Sequence, residues 1–279
     1  MLRGVSASSP PIDHETTPMT PIWQTEFGDG PVIACAIHDG HEVRPDVADC
    51  LRLSDAERLY EEDPHTGAWT SIAATRIVAR RSRFELDLNR PREKAVYIVP
   101  ADAWGLEVWN CNPSPKMVER SLQAYDGFYA HLRFLLEALV VRHGRVVVFD
   151  LHSYNHVRDG HGGATSDPEA NPEINLGTGS LPRTLWTPVV ERWLAEMRGY
   201  NYLGRRLDVR ENVKFFGGNL PGWIHQNFPK SVCALAIEVK KFFMDEWTGE
   251  LDVLQHEALH AALAVAADGV REELEKYKS

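Results

Sequence analysis

The sequence predicts an α/β fold: one three-layer sandwich with a mainly parallel, mixed sheet and helices on both faces. Short continuous apolar runs recur along the 279 residues, as expected of strands buried on both faces. Between them lie segments whose apolar positions return at helical spacing. No repeat, linker or shift of composition divides the chain. A single domain over 31–279, preceded by an irregular arm over 1–30, is therefore the economical arrangement.

Each element has its own signal. Residues 1–30 are rich in Pro, Thr, Ser and Gly without a period, hence the arm. PVIACAI at 31–37 reads as a buried strand that stops at His38-Asp39-Gly40-His41. A helical pattern over 45–61 is broken by Pro64 and Gly67. RIVAR at 76–80 and FELDLN at 84–89 read as two further strands, the second alternating apolar with polar, and AVYIV at 95–99 as a fourth ending at Pro100. Over 116–142, Met117, Leu122, Tyr125, Phe128, Leu132, Leu135 and Leu139 fall at helical spacing, and His143-Gly144 closes the helix. RVVVFDL at 145–151 is a buried strand whose exit is His152-Ser153-Tyr154. A polar, Gly-rich loop over 156–173 leads to INLGT, then to a helix near 185–199. CALAIEV at 233–239 is the last apolar strand, and a long helix runs from about 252.

Composition excludes several classes. Apolar residues are 43% and charged residues 25%, ordinary for a globular chain. Mean hydropathy is −0.32, no apolar run reaches the roughly 18 residues of a membrane helix, and the N-terminus lacks a secretory apolar segment. The net charge of −10 lacks the basic footprint that nucleic acid needs. Cys35, Cys50, Cys111 and Cys233 form no CxxC pair and read as reduced thiols of a cytoplasmic protein. Twelve histidines remain as the lead, because imidazole is the commonest metal ligand and acid–base group.

Position sorts these histidines. In open α/β sheets ligands bind beyond the carboxyl ends of the strands. His38 follows the first predicted strand, Asn89-Arg90 the third and His152 the fifth, while Glu238 sits near the end of the last. Two imidazoles, a guanidinium and a carboxylate at one edge make the inventory of a catalytic zinc site. His256-Glu257-Ala258-Leu259-His260 also fits HExxH. Only 19 residues follow it, no third His lies downstream, and it sits on an amphipathic closing helix with exposed charge, so it reads as a decoy. Ser153 lacks the Gly-rich elbow of a serine hydrolase. Gly160-His161-Gly162-Gly163 reads as a mobile loop, and Trp104, Trp109 and Tyr97 as core or rim. One of Lys240 and Lys241 is expected to face the site.

DLHSY at 150–154, IEV around Glu238 and DLNR at 87–90 resemble the zinc carboxypeptidase superfamily. The closer resemblance is to its N-formylglutamate amidohydrolase branch, over about 31–260. It takes in AIHDG at 36–40, EEDPHT at 61–66, SRFELDLNRP at 82–91, INLGT at 174–178, FFGGN at 215–219 and LAIEVKKFFMDE at 235–246. The resemblance implies a phosphorylase/hydrolase-like, zinc carboxypeptidase-like fold and one Zn²⁺ per chain, with His38 and His152 as ligands. Glu238 is the implied base and proton shuttle, Arg90 with Asn89 the implied carboxylate grip, and Arg83 a second positive group. Gly217 and Gly218 match the family's glycine pair near the substrate. Carboxypeptidases place a Glu three residues after the first His; here that position is His41, followed by Glu42. The acidic position of the closer branch falls on Asp63, with Glu62, Glu42 and His41 as alternatives. The implied substrate is a small N-acyl amino acid, foremost N-formyl-L-glutamate. A carboxypeptidase-like peptidase, a deacylase of another acyl amino acid and a non-catalytic binding protein are the alternatives.

Overall fold

The computed structural model describes residues 21–157 and 160–277. Seven strands form one mixed sheet: β1 (Trp23–Glu26), β2 (Val32–Ala36), β3 (Thr75–Ala79), β4 (Val146–Tyr154), β5 (Ile174–Gly177), β6 (Val209–Glu211) and β7 (Val232–Lys240). Their order is β1-β3-β2-β4-β7-β5-β6. The centre, β3-β2-β4-β7, is parallel; β1 and β5 pair antiparallel with β3 and β7, and β5 pairs parallel with β6. β2, β4 and nearly all of β7 are buried throughout, which is why they appear as unbroken apolar runs.

Among the described residues seven α-helices accompany the sheet: α1 (Pro45–Ala48), α2 (Asp55–Glu61), α3 (Thr66–Trp69), α4 (Pro115–His143), α5 (Arg183–Gly199), α6 (Asn219–Asn227) and α7 (Val253–Glu275). Val147, Phe149 and Leu151 point to one face of β4, into a core shared with Trp186 and Trp193 of α5 and Leu259 and Leu263 of α7. Val146 and Val148 point to the other, against Phe128, Leu132 and Leu136 of α4 and Leu220 and Ile224 of α6. α4 is capped by Ser114, whose side chain accepts the Met117 N–H, and stops at Gly144 with φ 74°.

The path of the chain fixes where a ligand can sit. From β2 it moves to β3 on one side, then crosses back to β4 on the other, so the strand order reverses between β2 and β4. At such a reversal the connections leave in opposite directions and open a crevice at the carboxyl ends. His38 follows β2 and His152 lies in the last turn of pleat of β4, on either side of that crevice.

Several expectations are corrected. Residues 1–20 of the arm lie outside the described residues, and Trp23–Glu26 is a strand rather than irregular chain. The single helix expected over 45–61 is two short ones, because Leu51 between them bridges to Trp109. FELDLN at 84–89 and AVYIV at 95–99 are not strands. Glu85 takes the Arg44 N–H and Asp87 the Asn89 N–H (2.7 Å each), so side-chain carboxylates satisfy backbone groups that a ladder would have used. Cys50 and Cys111 are not reduced thiols but form a disulfide, with Cα atoms 5.4 Å apart. Their separation of 61 residues hid a pairing that the neighbouring Leu51–Trp109 bridge creates, and with it goes the cysteine-based case for the cytoplasm. No helix among the described residues is long and apolar enough to cross a membrane.

Candidate active site

A cleft of about 530 Å³ opens at the carboxyl edge. His38, Asp63, Arg83, Asn89, Arg90, His152, Gly217, Gly218 and Glu238, all nominated from sequence, line it together. Trp104, Lys214 and Lys241 line it as well. His152 on β4 stands in register with Glu238 on β7, so a two-residue pleat delivers both to the same face.

At the bottom, His38, Asp63 and His152 are buried, with one ligand atom from each within 4.8 Å of the others. Asp63 Oδ2 lies 2.9 Å from His152 Nδ1 and 3.5 Å from His38 Nδ1. The other nitrogen of each ring is also engaged: His38 Nε2 lies 2.8 Å from Asp87 Oδ1, and His152 Nε2 approaches Asp150 Oδ1 at 3.0 Å. Each imidazole thus lies between Asp63 on one side and a second carboxylate on the other, and a carboxylate behind the ring is the usual partner of a metal-ligating histidine. Asp87 is held in turn by Arg83 (2.9 Å) and the Tyr97 hydroxyl.

Charge is unbalanced here. Asp63, Asp87, Asp150 and Glu238 crowd a small volume, the guanidiniums of Arg83 (2.9 Å) and Arg90 (3.7 Å) both pair with Asp87, and Asp150, though close to His152, makes no hydrogen bond through either buried oxygen. Burial opposes a charge on His152, yet the carboxylates of Asp150 and Glu238 lift its pKa well above the ordinary histidine value. Burial also opposes the charge on Asp63, but hydrogen bonds from His152 and His38 hold that carboxyl far below its usual range. A buried anionic cluster of this kind needs compensation. Two imidazole nitrogens and a carboxylate oxygen, with further carboxylates beside them, fit a divalent cation. Glu238 keeps partial access to the cleft; burial first, then Asp63 and Asp150, raise its pKa to about 7 despite the opposing pull of His152.

The alternatives to Asp63 point elsewhere. Glu62 is fully buried but turned to His41 Nδ1 (2.5 Å) and the Ser82 hydroxyl, and Glu42 pairs with Arg80 (2.7 Å). The HExxH histidines are also engaged: His256 Nε2 meets the His65 carbonyl at 3.0 Å and its ring stacks on Trp69, while His260 meets Ser71 Oγ at 2.8 Å. His256 is buried, so that face of α7 is not the exposed surface expected from sequence.

The rim is built from the 82–91 turn and the loop before α6. Asn89 Oδ1 accepts the Leu220 N–H at the start of α6, and a Cβ on Gly218 would come within 2.3 Å of that carboxamide. Gly218 therefore exists to let the loop close on Asn89. Trp104, held at φ 53°, lies 4.8 Å from the Arg83 guanidinium and 5.6 Å from that of Arg90. Of the two lysines, Lys241 faces the cleft; its ammonium donates to the Tyr60 and Glu62 carbonyls (2.7 Å each) and pins the segment carrying Asp63. Neither Asp87 nor Asp150 is among the residues nominated from sequence, although the Asp150-x-His152 spacing on β4 puts that carboxylate and imidazole on one face. Lys214 had no sequence signal.

No curated protein sequence matches this chain. Among solved structures, the N-formylglutamate amidohydrolase of Ralstonia eutropha JMP134 superposes with a TM-score of 0.72 at 18% identity, over 92% of this chain and 99% of that one. A gene product of Agrobacterium tumefaciens superposes with a TM-score of 0.61, also at 18% identity, over 93% and 97%. At such identity the likeness speaks for the fold. The sequence itself matches the N-formylglutamate amidohydrolase family over residues 30–244, a span that contains every residue lining the cleft. By that match the chain belongs to the N-formylglutamate amidohydrolase family.

Proposed function

We propose that the chain is a zinc-dependent hydrolase of N-acyl amino acids, with N-formyl-L-glutamate as substrate and formate and L-glutamate as products. The observation that carries this reading is the convergence of His38, Asp63 and His152 beside Glu238 in one cleft. Zinc bound by His38, Asp63 and His152 would supply Lewis-acid activation of water and of the formyl carbonyl.

The protein's own groups then do the following. Arg90 at the rim takes a substrate carboxylate, with Trp104 backing its guanidinium. Arg83, occupied by Asp87, adds positive charge and holds the His38 partner in place. Glu238 accepts a proton from the attacking water and returns it to the departing amine as the C–N bond breaks; the proton left on the new carboxyl then passes to the amine, directly or through solvent, so the products are formate and an ammonium group. A carboxyl raised to about 7 is suited to both duties near neutral pH. An acidic protein can bind a dianion in this way because local charge at the rim, not net charge, meets it.

The test measures zinc content and formate release in wild type and Glu238→Gln. The expected result is one zinc per chain in both, with turnover in the variant reduced by at least about 100-fold, within the range attributed to general acid–base catalysis. A variant as active as wild type refutes the role of Glu238, and a wild type without stoichiometric zinc refutes the metal.

A further inference from the structure

Lys214 enters the cleft from the loop between β6 and α6. Its ammonium lies 5.0 Å above the Tyr154 ring and 5.6 Å from that of Phe215, and it donates to Asn171 Oδ1. The stem is fixed as firmly as the head. Asn175, fully buried on β5, accepts the N–H groups of Val213 (3.0 Å), Lys214 (2.9 Å) and Phe215 (3.4 Å), and its Nδ2 donates to the Phe215 carbonyl (2.7 Å). Asn175 stands in register with Glu238, so the strand pairing that presents the carboxylate also sets the height of Lys214.

The same loop reaches the other cationic group. Four residues beyond Lys214, Gly218 closes on Asn89, next to Arg90. That stretch spans at most about 14 Å of extended chain. Two cations borne on long side chains thus line one cleft together with His38, Asp63, His152 and Glu238.

We propose that Lys214 is a specificity residue: its ammonium takes the side-chain carboxylate of a dianionic acyl amino acid whose main-chain carboxylate is held by Arg90. This rests on the reading of the cleft as an acyl amino acid site and adds to it the group that selects an acidic side chain. The Tyr154 and Phe215 rings beside Lys214 carry no charge, so a neutral side chain of the same length gains no ion pair there. Asn175 is the corresponding positioning residue, acting through the loop backbone.

The experiment compares N-formyl-L-glutamate with N-formyl-L-glutamine, equal in shape and different in charge, on wild type, Lys214→Met and Lys214→Arg. Calorimetric binding of L-glutamate and L-glutamine runs in parallel. Wild type should prefer the glutamate compound, and Lys214→Met should lower that selectivity about 10- to 150-fold, the range of one charge-assisted hydrogen bond. The loss should lie in KM rather than kcat, and Lys214→Arg should recover part of it. Equal losses on both substrates would overturn the proposal and leave Lys214 a structural residue. A wild type that cleaves neither compound refutes the hydrolase reading instead. Binding then decides for Lys214: a preference for L-glutamate that Lys214→Met abolishes supports it, and no preference or no binding overturns it.

Discussion

Asn175→Ala isolates the clamp under the Lys214 loop. Asn175 makes three hydrogen bonds of good length with Val213, Lys214 and Phe215, and a longer one at 3.4 Å. Each bond of this type contributes about 1 kcal/mol net. Residues 213–215 are only half-buried, so water recovers part of what is lost. The expected cost is therefore about 2–3 kcal/mol, a fall in Tm of roughly 4–12 °C at this chain length. Asn175→Asp refines the test. It keeps an acceptor for the three N–H groups, loses the donor to Phe215, and sets a second carboxylate in register with Glu238. It should be less destabilising than the alanine variant yet depress activity more at acidic pH, because like charge pushes the Glu238 carboxyl further up. Urea and thermal unfolding measure the first quantity, and a pH profile of formate release the second. An alanine variant within about 0.5 kcal/mol of wild type would show that the loop holds itself and that the clamp reasoning is wrong.

Two other perturbations follow from the fold. His225 is buried, and its Nε2 accepts the Ala234 N–H, so burial above all pushes its pKa down to about 4. Between pH 6.5 and 4 the unfolded chain takes up a proton that the native chain refuses. Stability should fall by about 3 kcal/mol across that window, full above it and lost below; His225→Gln should flatten the slope, and an unchanged slope would assign it to other groups. The Cys50–Cys111 bond closes a loop holding Asp63, Arg83, Asn89 and Arg90, and by chain entropy is worth about 4 kcal/mol at this separation of 61 residues. Unfolding with and without reductant should differ by up to that amount, and identical curves would show that the bond contributes nothing.

Much of this was legible in the sequence, for physical reasons that also mark where legibility stopped. β2, β4 and β7 are buried on both faces, and burial writes an apolar run wherever it happens. His38 and His152 could be singled out because each interrupts such a run. FELDLN misled because Phe84, Leu86 and Leu88 are buried, while Glu85 and Asp87 between them are buried too, in ion pairs. Alternation there records two environments, not a pleat. β1, β6 and α6 are too short for a period to emerge, and their existence depends on pairing with distant segments. Lys214 and Asn175 were invisible for a related reason: a lysine in a loop and an asparagine in a strand become a unit only through cross-strand register.

That register places Asn175, Glu238 and His152 side by side on three adjacent strands. Side chains alternate with a period of two, so a slip of one residue between any pair would send one member of the row to the opposite face. The Glu238 carboxylate, the His152 imidazole and the loop anchor therefore arrive together or not at all. Activity recovered during refolding should track the last strand pairing of the sheet rather than overall compaction, which makes turnover an all-or-none reporter of β5-β7-β4 alignment.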